Sequence, residues 1–239
     1  SGQMISSIKV LEPDNNGYIA TIDLSTNTKV VKNGTIIIST TFYDTNNELI
    51  SITSYDAENN QVITIPYFGY DIKTTINPSN DKKIKEIKVD NNNIELINTE
   101  YDSYEREISK IEKNVNNENI RTTITTYTNS QTTTEESIFS SNLKTHTITT
   151  ITDIINDIII SQVTVSEPDI DNNVTTTNML NNTEIVKNGN DIIRTTTFDN
   201  KGNIISIISF DLNYNIVESL PQKDNTTIVI TKDPNSGKK

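Results

Sequence analysis

Residues 10–66 return at 165–221 without a gap, a shift of 155, with 24 identities in 57 positions. Self-similarity at a fixed spacing is the signature of a repeat architecture. Val10-Leu11-Glu12-Pro13-Asp14 comes back as Val165-Ser166-Glu167-Pro168-Asp169, and Val31-Lys32-Asn33-Gly34 as Val186-Lys187-Asn188-Gly189. Phe42-Tyr43-Asp44 answers to Thr197-Phe198-Asp199, and Pro66 to Pro221. After one inserted position, Asn77-Pro78-Ser79 aligns with Asp233-Pro234-Asn235. The chain is expected to divide as a leader or cloning scar at 1–9, unit A at 10–83, unit B at 84–164 and unit A′ at 165–239, with the 155-residue super-repeat continuing past the last lysines.

The residues that fill the repeat set its fold class. The 239-residue chain holds 40 Ile, 36 Thr and 34 Asn but only 8 Leu and 2 Ala. Ile and Thr branch at Cβ and suit a pleated surface, whereas helices draw on Ala, Leu, Glu and Lys. The expectation is an all-β protein. Aspartate-led turns recur twelve residues apart, at Asp44 and Asp56, Asp90 and Asp102, and Asp199 and Asp211. Asp and Asn bond their own backbone in such turns, and Asn and Gly accept positive φ at little cost. Strands joined at so short an interval must be antiparallel, since a parallel crossover needs a dozen or more residues. Antiparallel meander or hairpin repeats in an extended or curling sheet follow, with tandem β-sandwich domains as the alternative. In 204–210 the apolar residues fall on both faces (Ile204, Ile208 and Phe210 against Ile205 and Ile207), so neither is cleanly polar.

Composition also narrows function. With no Cys there are no disulfides, thiolate nucleophiles or thiolate metal sites. The single His146 lies in a Thr-rich strand pattern and reads as a strand position. A net charge of −12 disfavours a nucleic-acid partner. No apolar run reaches the 18 residues of a membrane-spanning helix. No nucleophile motif is present, and the reading is non-enzymatic.

Three sets of residues stand out as candidate sites. Asp14, Asp169 and Asp171, in Pro- and Asn-rich loops, offer oxygen ligands of the kind Ca²⁺ takes. Lys32 and Lys187 recur inside Lys-Asn-Gly, a hairpin signal, and could form amide crosslinks with Asn60 and Asn215 or with Glu12 and Glu167. Tyr67, Phe68 and Tyr70 form an aromatic patch suited to stacking on a sugar.

Phe198-Asp199-Asn200-Lys201-Gly202-Asn203-Ile204, closed by Phe210-Asp211, resembles the YD repeat of Rhs-type proteins, as does Tyr43-Asp44-Thr45-Asn46-Asn47-Glu48-Leu49 before Tyr55-Asp56. The match covers about a third of the chain and replaces most of the family's glycines with Asn. It implies β-hairpin sheets on a secreted or surface polypeptide, and no catalytic residue. Together these readings predict a structural repeat module of a long extracellular or surface-displayed β polypeptide (stalk, fibre, filament or shell), with an adhesin segment as the alternative. Its expected partners are neighbouring repeats, other copies of itself, or a glycan or surface protein.

Overall fold

The computed structural model describes residues 7–211, 213–223 and 226–232. Residues 1–6 of the expected 1–9 leader, and the return of the repeat at 233–239, lie outside the described residues; Ile8 and Lys9 of that leader belong to a strand. Within them every regular element is a β-strand, as the Ile/Thr composition requires.

Two compact units form, at 1–118 and 119–239. In the first, ten strands follow one another: β1 (Ile8–Val10), β2 (Ile19–Asp23), β3 (Thr28–Asn33), β4 (Ile36–Tyr43), β5 (Leu49–Tyr55), β6 (Gln61–Tyr67), β7 (Tyr70–Asn77), β8 (Lys82–Asp90), β9 (Glu95–Tyr101) and β10 (Glu107–Lys113). Within this unit successive strands pair antiparallel, from β1 with β2 through β9 with β10. The second unit does the same with β11 (Asn119–Tyr127), β12 (Gln131–Ser140), β13 (Leu143–Asp153), β14 (Ile158–Ser166), β15 (Asn173–Asn178), β16 (Thr183–Asn188), β17 (Asp191–Phe198), β18 (Ile204–Phe210), β19 (Ile216–Pro221) and β20 (Thr227–Lys232). The sequence boundaries at 83/84 and 164/165 fall inside β8 and β14. The A–B–A′ division is thus a period of the sequence and not a break in hydrogen bonding.

The repeat survives at the level of register. Along one face of the first unit, Val31, Ser39, Ser54 and Val62 stand opposite one another in turn. Adding 155 gives Val186, Arg194, Ser209 and Val217, which are paired in the same way. The irregularities repeat too: the ladder slips between Val31 and Lys32 and again between Val186 and Lys187.

Those slips are β-bulges, and among the described pairings they recur within two pairs of a turn. The extra residue is Ile38, Ile50, Ile84, Leu96, Ile108, Ile160, Ile193 or Ile205, and in one case Thr145. A bulge bends its strand and re-aims side chains. It is why the doublet Ile204-Ile205 does not divide cleanly between two faces.

Among the described residues neither unit carries a second layer of its own. Among the described residues only Val89, Thr75, Thr99 and Thr196 are buried, and no large side chain is fully enclosed. A sandwich would place two inner faces against each other around an apolar core. The tandem-sandwich alternative therefore does not form. Threonine takes the place a core residue would hold, in cross-strand rows such as Thr125–Thr134–Thr150. Such pairs contribute roughly 0.2–1 kcal/mol each and tolerate water on either face.

Candidate functional site

The most repeated local structure is a five-residue loop led by Asp. In Asp199–Asn203 the Oδ1 of Asp199 accepts the N–H groups of Lys201 and Asn203, at 2.8 and 2.9 Å. The backbone closes around it, with Gly202 N–H donating to Asp199 C=O and Asp199 N–H to Asn203 C=O. Gly202 holds φ 83. This is a type I turn followed by a left-handed residue, a common three-residue hairpin loop. The same bonds form around Asp44, Asp56, Asp90, Asp102 and Asp211, the twelve-spaced aspartates.

Two of the calcium candidates belong to this loop. Asp14 Oδ1 accepts from the N–H groups of Asn16 and Tyr18, and Asp169 Oδ1 from those of Asp171 and Asn173. Asp171 is an exposed loop residue that contributes its backbone N–H. These carboxylates are turn anchors, and no group of three or more potential metal-ligating acids or imidazoles occurs among the described residues. Asn114 does the same work with an amide oxygen, accepting from Asn116 and Glu118. Its role was hidden because Asn is so frequent here.

The crosslink candidates are not brought together. Leu11 N–H donates to Ala20 C=O, which sets Glu12 level with Ile19, and Ile19 pairs with Lys32. One strand therefore separates Glu12 from Lys32, about 10 Å at the usual strand spacing. Asn60 is three strands from Lys32, about 14 Å, and Asn215 stands likewise to Lys187. Asn60 and Asn215 instead donate their amides to Asp56 and Asp211, at 3.0 and 2.9 Å. Glu167 pairs with Lys144 at 2.9 Å. Both Lys-Asn-Gly segments do make two-residue hairpins, with Gly34 and Gly189 as the positive-φ residue. His146 sits on β13 with Nδ1 3.0 Å from Thr145 Oγ1, an ordinary strand position.

The aromatic candidates do converge. Tyr67 and Tyr70 close the β6–β7 turn with rings stacked at 5.1 Å, and Lys88 Nζ lies 3.9 Å from the Tyr70 ring centroid. Phe68, at the tip, is fully exposed (104 %). A second concavity, absent from the sequence reading, lies in the other unit. It is lined by Ile192, Ile193, Phe210 and Tyr214, with Asp191, Asp211 and Asn190 around it. The bulge at Ile193 helps turn two adjacent isoleucines toward one hollow.

Tyr214 occupies the left-handed slot of its loop at φ 60. Among the described residues, seven of the nine such loops place Gly or Asn there, the exceptions being Glu105 and Tyr214. A side chain with Cβ loses roughly 1–2 kcal/mol in that region. Tyr214→Gly is accordingly expected to stabilise the chain by about 1 kcal/mol, read as a higher urea midpoint at unchanged slope.

The loops also tie stability to pH. The Asn203 amide, then the N–H groups of Asn203 and Lys201, hold the Asp199 carboxyl below the ordinary carboxylate range. The Asn215 amide does the same for Asp211, the Asn60 amide for Asp56, and the Arg106 guanidinium for Asp102. A carboxyl whose folded pKa is depressed contributes stability that is complete above its unfolded pKa. That stability is lost as pH falls through the folded value. Urea midpoints should therefore fall below about pH 4. Replacing Asp56, Asp199 and Asp211 together by Asn, the residue that anchors the 114 loop, should lower the midpoint at pH 7 and make the acid limb shallower, so that variant and native midpoints converge as pH falls.

No protein-family model matches the chain, and no characterised protein matches its sequence. Among solved structures, a porin-like protein from Bacteroides uniformis aligns over 94% of this chain and 92% of its own, at 12% identity and a TM-score of 0.25. The Dos1 propeller aligns over 90% of this chain and 67% of its own, at 9% identity and a TM-score of 0.18.

Proposed function

We propose that this chain is a non-enzymatic structural module of a long, repeat-built β polypeptide displayed outside the cell or on its surface. The observation that carries this reading is the register of the ladder. Pairings and bulges recur at a shift of 155, so added sequence adds strands of the same kind. Each strand contacts its chain neighbours, and length is then set by repeat number through nearest-neighbour terms. A Thr- and Asn-rich sheet without a core suits a body that is wet on both faces. The resemblance of the Phe198–Ile204 segment to YD repeats points the same way.

The test is to extend the chain. Appending a second copy of residues 84–239 after Lys239 continues the period without altering any pairing. The urea unfolding slope should rise with the added length and the midpoint should rise or hold. Independent melting of the added piece would count against a continuing repeat.

An adhesin segment is the second reading, favoured by the exposed Phe68 beside the stacked tyrosines. It requires glycan or surface-protein binding that Phe68→Ala abolishes.

A further inference from the structure

Residues 10–66 and 165–221 repeat one another in sequence and register, so the differences in surface chemistry at and beside them are informative. One difference is the β6–β7 turn, where Tyr67-Phe68-Gly69-Tyr70 raises a fully exposed phenylalanine and Lys88 Nζ lies over the Tyr70 ring. The corresponding segment after Pro221 begins Gln222-Lys223 and has no aromatic residue. The other is the hollow of Ile192, Ile193, Phe210 and Tyr214, rimmed by Asp191 and Asp211. In the first unit the Tyr214 slot is Asn59.

Tyr214 is a tyrosine kept in a strained backbone region while 79 % exposed. Strain retained at such a position points toward contact with something outside the chain. Around it are three more partly exposed apolar side chains, at 41–45 %.

We propose that the hollow in the 119–239 unit of one copy receives the Phe68 turn from the 1–118 unit of another copy. Charge selects the occupant. The turn brings the Lys88 ammonium, and the hollow presents the Asp191 and Asp211 carboxylates, the latter kept ionised by its own loop. A phenylalanine tip suits a hollow walled by two isoleucines and two aromatic rings. The contact is heterologous, since knob and hollow are different surfaces of the same chain. Each copy added leaves one of each unfilled, so the contact closes a ring or propagates a filament. This deepens the structural-module reading and rests on it, by naming the surface through which modules join laterally or end to end.

Sedimentation velocity from roughly 10 µM to 1 mM tests it on the whole chain. The native chain should associate with rising concentration, and Phe68→Ser and Tyr214→Asn should each weaken association by about tenfold or more. Neither substitution endangers the fold. Phe68 is a solvent-exposed turn tip, and Asn is the residue the equivalent loop already uses. The chain has no cysteine of its own, so mixing Phe68→Cys with Tyr214→Cys chains gives a second readout. Random pairing of equal amounts gives as much mixed disulfide as the two homodimers combined, so under oxidation the mixed disulfide should clearly exceed their sum.

A chain that stays monomeric at the highest concentration would overturn the proposal. So would association that both variants leave intact, an excess of homodimers, or glycan binding through Phe68 without self-association. Association unaffected by the variants would remove this contact while leaving the module reading to the chain-extension experiment.

Discussion

Thr53→Pro is expected to destabilise the chain by about 3 kcal/mol or more, and Ile208→Pro by the same amount. Thr53 lies mid-strand in β5, opposite Thr40 on one side and Ile63 on the other. Ile208 is its equivalent at a shift of 155, opposite Thr195 and Glu218. Proline removes a ladder donor, leaves a carbonyl without its partner and forces its ring against the neighbouring strand. In a sandwich, packing between layers would hold part of the structure in place. Here the ladder is the principal tie between one strand and the next, because almost nothing is buried. The native prolines respect that constraint: Pro66 and Pro221 occupy pairs at the turn ends of β6 and β19. The losses in the two variants, read from urea midpoints and slopes, should be similar, and in the double variant they should add to within about 0.5 kcal/mol, as for distant independent sites. Markedly unequal losses would mean that the two halves do not share one register.

Gly202→Val should cost about 2 kcal/mol, the second large effect. Gly202 sits at φ 83, and a Cβ built on it meets nothing within 4 Å. The penalty is then one of backbone torsion, sharpened by branching at Cβ, and not of collision. Gly202→Asn is the control, because Asn47 fills the matching slot at φ 67. That change should cost only a fraction of the valine penalty. Equal losses for Asn and Val would show that the slot does not require a left-handed residue. Thermal melting of both variants beside Tyr214→Gly ranks the three directly.

Much of the fold is legible in the sequence because local chemistry and the global pattern agree. Asp44, Asp56 and their equivalents announce turns through side chains that bond their own backbone. The β-branched runs between them suit nothing but strands. At Asp14 and Asp169 the same run of oxygen-bearing residues reads both as a cation loop and as a turn, and the structure shows the turn role, with each Oδ1 accepting two N–H groups. Longer loops were not foreseen: Asp23, Asn77, Asp153 and Asn178 each precede a positive-φ residue four positions on, at Asn27, Asp81, Asp157 and Asn182. Periodicity alone cannot place Ile192-Ile193 or Ile204-Ile205, since strict alternation sends neighbours to opposite faces. The bulge that resolves those doublets depends on pairing across strands. For the same reason the hollow around Tyr214 was invisible, while the aromatic turn at 67–70, contiguous in sequence, was not.

The most direct test of a replicated β-sheet without a covered core is the heat capacity of unfolding, measured by calorimetry on the native chain. An ordinary globular protein of this length gives about 3 kcal/mol/K, since unfolding exposes an apolar interior. With four buried residues among those described, three of them threonine, the expected value is roughly half of that or less. A value at or above the globular norm would mean that a substantial apolar interior is hidden from water, and would contradict the single-layer sheet on which the structural reading depends.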